Sequence, residues 1–336
     1  MNNKKNKTAL ITGATGALGG NLGLLLLSNG WNVVSYSIQE SKFCLLNSKN
    51  APKGTKFYQG DVLNLEKLTK IIKKHKPNAI INLAALSTIE ACYRSPLEAI
   101  KTNSLGTATV LEAYRLSEIK SDIIICAESD KAYGSYNEDM LPYKEDYDLR
   151  PHGIYEASKS STSFIAHAYR KEFSLPVTTI RTVNMYGPGD FNFSRLVVGT
   201  IVRALSGINP VLYSNARDYK REFLFLGDAV RMIFQLIESP EKSVGHVFNI
   251  GSGSTYKIAD AIDEICQLAN PKCKPVVVDR DQLVSEIKTQ YVSMEKFKKT
   301  FPSFSFELET LNTGLRHTIP WYRKNIDAFK KVFRAK

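Results

Sequence analysis

The sequence predicts an α/β protein built on a Rossmann-like, doubly wound parallel sheet, with a smaller lobe toward the C-terminal end. Three observations carry this expectation. A β-favouring apolar run, Thr8-Ala9-Leu10-Ile11-Thr12, is followed by Gly13-Ala14-Thr15-Gly16-Ala17-Leu18-Gly19 and an apolar helical stretch through Leu22 to Leu27. Strand and helix patterns then alternate, the order that a parallel sheet with crossover helices requires. Further along, Tyr155-Glu156-Ala157-Ser158-Lys159 sets Tyr and Lys four residues apart, a spacing that a helix turns into neighbours on one face.

The first strand, glycine turn and helix have the form of a dinucleotide site, in which glycines admit the backbone and a helix N-terminus faces a pyrophosphate. Gly13, Thr15, Gly16, Ala17, Leu18 and Gly19 are the candidate contacts. Val33 to Ser37 reads as the second strand. An acidic residue at its end would hold ribose hydroxyls, and a basic one would suit the phosphate of NADP. The chain has Ser37, Ile38 and Gln39 there, with Glu40 slightly late, so the missing Arg favours NAD and leaves NADP open. Lys56 to Gln59 forms a third strand leading to Asp61 and Val62, where Asp61 suits an adenine amino group or caps the helix from Leu65 to Lys74. Ala79 to Ala85 is a buried-strand pattern whose last residues, Leu83, Ala84 and Ala85, can pass close to a cofactor. Asn103 and Gly106-Thr107 fall on the next helical segment, and Asp122 to Cys126 is the strand that delivers Ser129.

Tyr155 and Lys159 suggest the chemistry. An ammonium beside a phenol favours phenolate, drawing the Tyr pKa from about 10 toward neutrality. A hydroxyl that loses its proton to Tyr155 can then pass a hydride to a nicotinamide. After Val177 to Arg181 the alternation loosens, and Gly187-Pro188-Gly189 reads as a turn out of the sheet. The expected division is therefore 1–186 for the dinucleotide domain and 187–336 for a substrate lobe. Part of 223–240 should return to the first domain, Phe223 to Leu226 as a strand and Asp228 to Glu238 as a helix. Val247 to Ile250, Ile258 to Leu268, Val276 to Val278 and a final amphipathic helix from about Leu308 to Phe333 complete the chain.

At 336 residues a large α/β unit with an appended lobe is the default. The net charge of +12 suits a diphosphate substrate as well as nucleic acid or a solvated face. Much of the excess sits at the ends, in Lys4, Lys5 and Lys7 and in Lys330-Lys331 through Lys336, and no compact basic run is interleaved with aromatics, so no nucleic-acid partner is expected. Residues 1–7 lack an apolar signal core and no apolar run reaches about 18 residues, which points to a cytoplasmic chain without a membrane partner. Cys44, Cys92, Cys126, Cys266 and Cys273 contain no Cys-x-x-Cys pair and suit reduced thiols, and the scattered histidines give no metal site.

Gly-x-x-Gly-x-x-Gly together with a later Tyr-x-x-x-Lys resembles the short-chain dehydrogenase/reductase superfamily. Within it the chain resembles the extended enzymes acting on nucleotide sugars, specifically the 4,6-dehydratases and most of all their CDP-glucose members. That resemblance runs through Asp130-Lys131-Ala132-Tyr133-Gly134, Leu141-Pro142-Tyr143, Asn184-x-Tyr186-Gly187-Pro188-Gly189-Asp190, Asn192-x-x-Arg195, Arg221 to Asp228, Glu286-Ile287-Lys288-x-Gln290-Tyr291, Gly314-Leu315 and Trp321-Tyr322. It implies NAD as cofactor, a nucleoside-diphosphate hexose as substrate and a homodimer formed through helices flanking the sheet. It also implies roles. Ser129 would steady the C4 oxygen, Asp130 would protonate the departing C6 hydroxyl, and Lys131 would remove the C5 proton if its pKa is lowered from about 10.4. Val62, Leu83, Ala84, Ala85 and Asn103 would line the cofactor, and Ser87, Asn184, Arg195, Arg221 and Tyr291 would hold the substrate. An epimerase or 4-ketoreductase on the same scaffold would not need Asp130, and a nucleotide-binding regulator would keep the pocket without turnover. Three positions depart from the pattern: Glu128 replaces a small hydroxyl residue, Arg221-Glu222 replaces Arg-Asp, and Thr300-Phe301-Pro302 replaces Leu-Gly-Trp.

Overall fold

In the computed structural model, which describes residues 7–40, 43–49, 51–279, 287–307 and 310–334, the first apolar run forms β1 (Thr8–Thr12) and the glycine turn leads into α1 (Ala17–Ser28). Glu286, Leu308, Lys4, Lys5 and Lys336 lie outside the described residues. The alternation continues with β2 (Asn32–Ser37), β3 (Thr55–Gln59), α2 (Leu65–His75), β4 (Ala79–Asn82), α3 (Ile89–Arg94) and α4 (Pro96–Ala99). A π-helical segment at Ile100–Leu105 runs into α5 (Gly106–Ser117), and then follow β5 (Ile123–Ser129), α6 (Ile154–Phe173) and β6 (Val177–Thr182).

These strands and a later one, β10, form a seven-stranded sheet in the order β3-β2-β1-β4-β5-β6-β10, with every neighbouring pair parallel. The order reverses between β1 and β4, and the carboxyl ends at such a switch point open a crevice. Both faces of the sheet are covered, which explains why its strands read as continuous apolar runs. On β1, Ala9 and Ile11 pack into one core and Leu10 into the other. Thr12 spans the switch point: its Oγ1 donates to Asn82 Oδ1 at 2.6 Å and accepts from Ala84 N at 3.2 Å.

The remainder comprises β7 (Asn184–Tyr186), α7 (Leu196–Leu205), β8 (Val211–Tyr213), β9 (Lys220–Phe225), α8 (Leu226–Glu238), α9 (Pro240–Ser243), β10 (Val247–Ile250), β11 (Thr255–Lys257), α10 (Ile258–Ala269), β12 (Val276–Val278), β13 (Thr289–Gln290), α11 (Glu295–Thr300) and α12 (Leu311–Arg334). A small sheet joins β11, β9 and β13, with β7 also on β9, while β8 and β12 pair separately. A third core gathers α7, α10 and α12 around Ile201, Ile265 and Tyr322. The segment expected to return to the large sheet divides. Helix α8 packs on α1, but Phe223 to Phe225 stay in β9, where they pair with β7, and the strand that enters the large sheet beside β6 is β10. The reason is local: β7 follows β6 after a single residue and takes β9 as its parallel partner. Among the described residues no helix is long and apolar enough to cross a membrane, and no cluster of His, Cys, Asp and Glu could hold a metal.

Candidate active site

A cleft of about 1030 Å³ lies over the carboxyl ends of the large sheet and extends beneath the small lobe. Its floor at one end is the glycine turn. Gly13 has φ +70°, and a Cβ there would stand 2.9 Å from Ala84 N. A Cβ on Gly19 would stand 2.5 Å from Gly13 O, so these positions need glycine for the first turn of α1 to sit against β1 and β4. Gly16 caps α1 without a side-chain hydrogen bond, and the first turn carries no acidic residue. The N–H groups of that turn therefore remain available to an anion, with the helix dipole behind them. Thr15, Ala17 and Leu18 also line this end, as do Val62, Leu83, Ala84 and Ala85. Ser37, Ile38 and Gln39 line the end of β2, while Glu40 turns aside to accept from Ser48 N at 3.0 Å. The donor set and shape fit a dinucleotide whose adenosine end meets neither an acid nor a base.

The reacting end is built by β5 and α6. Strand β5 ends on Ser129, and a 3₁₀ turn at Asp130–Tyr133 follows at once. The Ser129 hydroxyl donates to Asp130 Oδ1 at 3.1 Å and accepts from Lys131 N at 3.3 Å. Asp130 is buried, and its Oδ2 has no hydrogen-bond partner. Burial holds its carboxyl above the usual carboxylate range, against the pull of the Lys131 charge, the Ser129 hydrogen bond and Arg221. A carboxyl shifted in that direction holds a proton more readily than a free one, which suits it to donate one. Lys131 lines the same cleft, and its Nζ donates to Gln290 Oε1 at 3.1 Å.

On α6, Tyr155 and Lys159 face the cleft from one side of the helix. The expectation that the ammonium draws the phenol toward neutrality is not met in this state of the protein. Burial pushes Tyr155 up to about 12, and a hydrogen bond with Ser129 only partly opposes it. Burial also pushes Lys159 down to about 8, and its Nζ donates to Ala127 O at 3.1 Å. For Tyr155, desolvation outweighs the Ser129 hydrogen bond and the Arg195 charge, so the phenol is protonated at neutral pH.

Other candidate residues sort by where their side chains reach. Ser87, Asn184 and Arg195 line the cleft, and Arg195 is tied to Asp190 at 2.8 Å and to Ser87 at 3.3 Å. Four candidates stand back from it. Asp61 caps the chain at Leu63 N and holds Tyr36 through its carbonyl. Asn103, buried in the π-helical segment, binds Leu86 N and O and Ser158 Oγ, so it braces the segment between Tyr155 and Lys159. Arg221 donates to Lys220 O and Lys288 O because β9 turns it into the small sheet. Tyr291 offers its carbonyl to Tyr143 N and does not line the cleft. Residues that the sequence reading passed over are Tyr213, Asn215 and Ala216 at the lobe end, and Gln290, read there only as part of a motif, stands behind Lys131. No local pattern marks the first three or gives Gln290 a role.

A doubly wound sheet with a glycine turn at its switch point and a Ser, Tyr and Lys set at the cleft defines an extended short-chain dehydrogenase/reductase. The model of the GDP-mannose 4,6 dehydratase family matches residues 10–304, and the chain belongs to that family. It is 26% identical to the dTDP-glucose 4,6-dehydratase of Xanthomonas campestris over 95% of this chain and 93% of that protein. The dTDP-glucose 4,6-dehydratase of Bacillus anthracis, solved with NAD, superposes with a TM-score of 0.83 at 25% identity, covering 97% of this chain and 99% of that one. The UDP-glucose 4-epimerase of Thermotoga maritima shares the fold, with a TM-score of 0.85 at 23% identity over 95% of this chain and 99% of that one.

Proposed function

We propose that the chain is an NAD-dependent nucleotide-sugar 4,6-dehydratase that converts a nucleoside-diphosphate hexose to its 4-keto-6-deoxy form. The observation that carries this reading is Asp130, a buried carboxyl of raised pKa one residue beyond Ser129 with one oxygen unpartnered. Oxidation or epimerisation at C4 has no use for such an acid, whereas loss of a C6 hydroxyl needs one. When bound, NAD accepts the hydride from C4 and returns it to C6. Ser129 holds the C4 oxygen, and Tyr155, once deprotonated, takes the proton of the C4 hydroxyl, the Lys159 ammonium steadying the phenolate. Lys131 receives the C5 proton, made acidic by the C4 ketone, while Asp130 gives its proton to the C6 oxygen, which leaves as water. Arg195, oriented by Asp190, carries the diphosphate, where binding energy can position the hexose without touching the reacting carbons. The run Ser129-Asp130-Lys131 favours CDP-glucose, and the names of the relatives favour dTDP-glucose, so both belong in the test.

The test incubates protein and NAD separately with CDP-, dTDP- and UDP-glucose and GDP-mannose, and follows mass and the fate of a C4 deuterium. Loss of one water with the label at C6 is the expected result for one of them. In Asp130→Asn, elimination falls by about 10²–10⁴-fold while C4 oxidation continues, so reduced nicotinamide accumulates. A sugar of changed configuration with no water lost makes the protein an epimerase, net consumption of reduced cofactor when it is supplied with a 4-keto sugar nucleotide makes it a ketoreductase, and retained cofactor without turnover makes it a regulator.

A homodimer belongs to the same proposal. Helices α5 and α6 lie side by side and leave Leu116, Phe164 and Phe173 exposed, Phe164 at 66%. Apolar side chains of that size on adjacent helices suit an isologous contact. Sedimentation should return twice the chain mass, and a monomer at micromolar concentration would reject the dimer.

A further inference from the structure

We propose that Gln290 is a positioning residue for Lys131, its amide oxygen fixing the direction in which the lysine presents its lone pair to the substrate. The inference rests on the reading of Lys131 as the base that takes the C5 proton.

Gln290 lies on the two-residue strand β13, opposite Arg221 of β9, and its side chain is fully buried. Its Oε1 accepts from Lys131 Nζ at 3.1 Å, joining the small sheet to the 3₁₀ turn that carries Asp130. Its Nε2 is buried with no hydrogen-bond partner. An amide left half-bonded in the interior is a poor choice for stability, because the unmade bond carries a cost that an apolar residue would avoid. The side chain suits its other neighbour instead. A lysine on a flexible four-carbon stem has many rotamers open to it, and an acceptor behind it restricts that freedom. The chemical type of the acceptor matters as much. A carboxylate would favour the ammonium and hold the proton on nitrogen, whereas a neutral amide oxygen binds amine and ammonium alike. A neutral amine that gives one N–H to Gln290 keeps its lone pair directed away from β13. From there the amine takes the C5 proton, the C5–H electron pair becomes the C5=C6 bond, and the C6 oxygen leaves as water with the proton of Asp130.

The test compares wild type, Gln290→Met, Gln290→Glu and Lys131→Met with dTDP-, CDP- and UDP-glucose and GDP-mannose in deuterated solvent. Three quantities are followed: deuterium entry at C5, the pH profile of kcat, and the thermal midpoint. Gln290→Met should melt at or above wild type while kcat and C5 exchange fall by about 10–100-fold with KM little changed. In Gln290→Glu the acid limb of the kcat profile should move to higher pH, because the new carboxylate favours the ammonium. A lowered melting point with an unmoved profile and full C5 exchange would make Gln290 a packing residue and overturn the proposal. If Lys131→Met keeps C5 exchange, the reading of Lys131 as base fails and Gln290 falls with it. If Lys131→Met loses exchange and both Gln290 variants keep it, the Gln290 proposal alone fails. If wild type exchanges C5 with none of the four sugars, the dehydratase reading and this inference are both rejected.

Discussion

Replacing Tyr155 by Phe is expected to lower kcat by about 10²–10⁴-fold, the range for removal of a positioned general acid or base. The argument begins with α6. A side chain at 155 and another at 159 share a face, and that face meets the end of β5, so the Tyr155 hydroxyl bonds with Ser129 while Lys159 reaches Ala127 O. Phe keeps the ring and its packing and removes only the oxygen. The fold and the dinucleotide end of the cleft should therefore persist, and KM should change little, because the missing group acts on the proton in flight. Tyr155 is pushed up to about 12 by burial, so the phenol enters the reaction protonated and must be converted to an acceptor by charges that arrive with the ligands. Lys159, down at about 8, holds its positive charge below that pH and loses it above. Measured kcat within about threefold of wild type for the Phe variant would remove Tyr155 from the mechanism, since a general base contributes far more than that.

What the sequence makes legible here has a physical pattern. The seven-strand unit could be read because its parts are local signals, the glycine turn and continuous apolar strands between two cores, although the cap of α2 falls on Asn64, whose side chain accepts from Lys67 N, and not on Asp61 as expected. Ser129, Asp130, Lys131, Tyr155 and Lys159 could be read for the same reason, since each lies within one turn of a neighbour in the set. The side-chain directions of Arg221 and Tyr291 could not be read, because they depend on how β9 pairs with β13, a strand two residues long with no periodicity to detect. Asn103 was found but assigned a cofactor contact. Its hydrogen-bond partners, Leu86 after β4 and Ser158 on α6, are brought to it by a π-helical segment that leaves no mark in composition. Gln290 meets Lys131 across the lobe junction, so only the assembled structure shows the contact.

Glu128 was visible as a departure, and its role follows from β5. Adjacent to Ser129, it points away from the sheet edge into the layer beneath α6, where it accepts from Arg181 Nε at 2.9 Å and Ser163 Oγ at 2.6 Å. Ser163 continues the stripe of Tyr155 and Lys159 along α6. Arg181, from β6, also donates to Glu145 O and lies 4.6 Å over the ring of Tyr133, which stacks on Tyr143 and bonds to Asn249. A buried ion pair thus underlies both the catalytic turn and the catalytic helix.

Breaking that pair from its two sides should give different results. Glu128→Leu leaves a buried guanidinium that cannot lose its proton, and the expected loss is about 3–5 kcal/mol at every pH of interest. Arg181→Met leaves a carboxyl that burial already raises, with its strongest opposing charge removed, and that group can escape by taking a proton. The sign follows from proton counting. In the variant the folded state binds a proton that the unfolded state has released above about pH 4.3, so stability is greatest below that value and falls as pH rises toward the raised folded pKa. Thermal midpoints at about pH 5 and about pH 8 should therefore diverge for Arg181→Met and fall together for Glu128→Leu. The double variant, with apolar groups in place of both charges, should cost less than Glu128→Leu alone. Equal, pH-independent losses for the two single variants would mean that the pair is solvated through the cleft, and the reason for Glu128 would then lie in its charge toward Lys159, whose ammonium it favours.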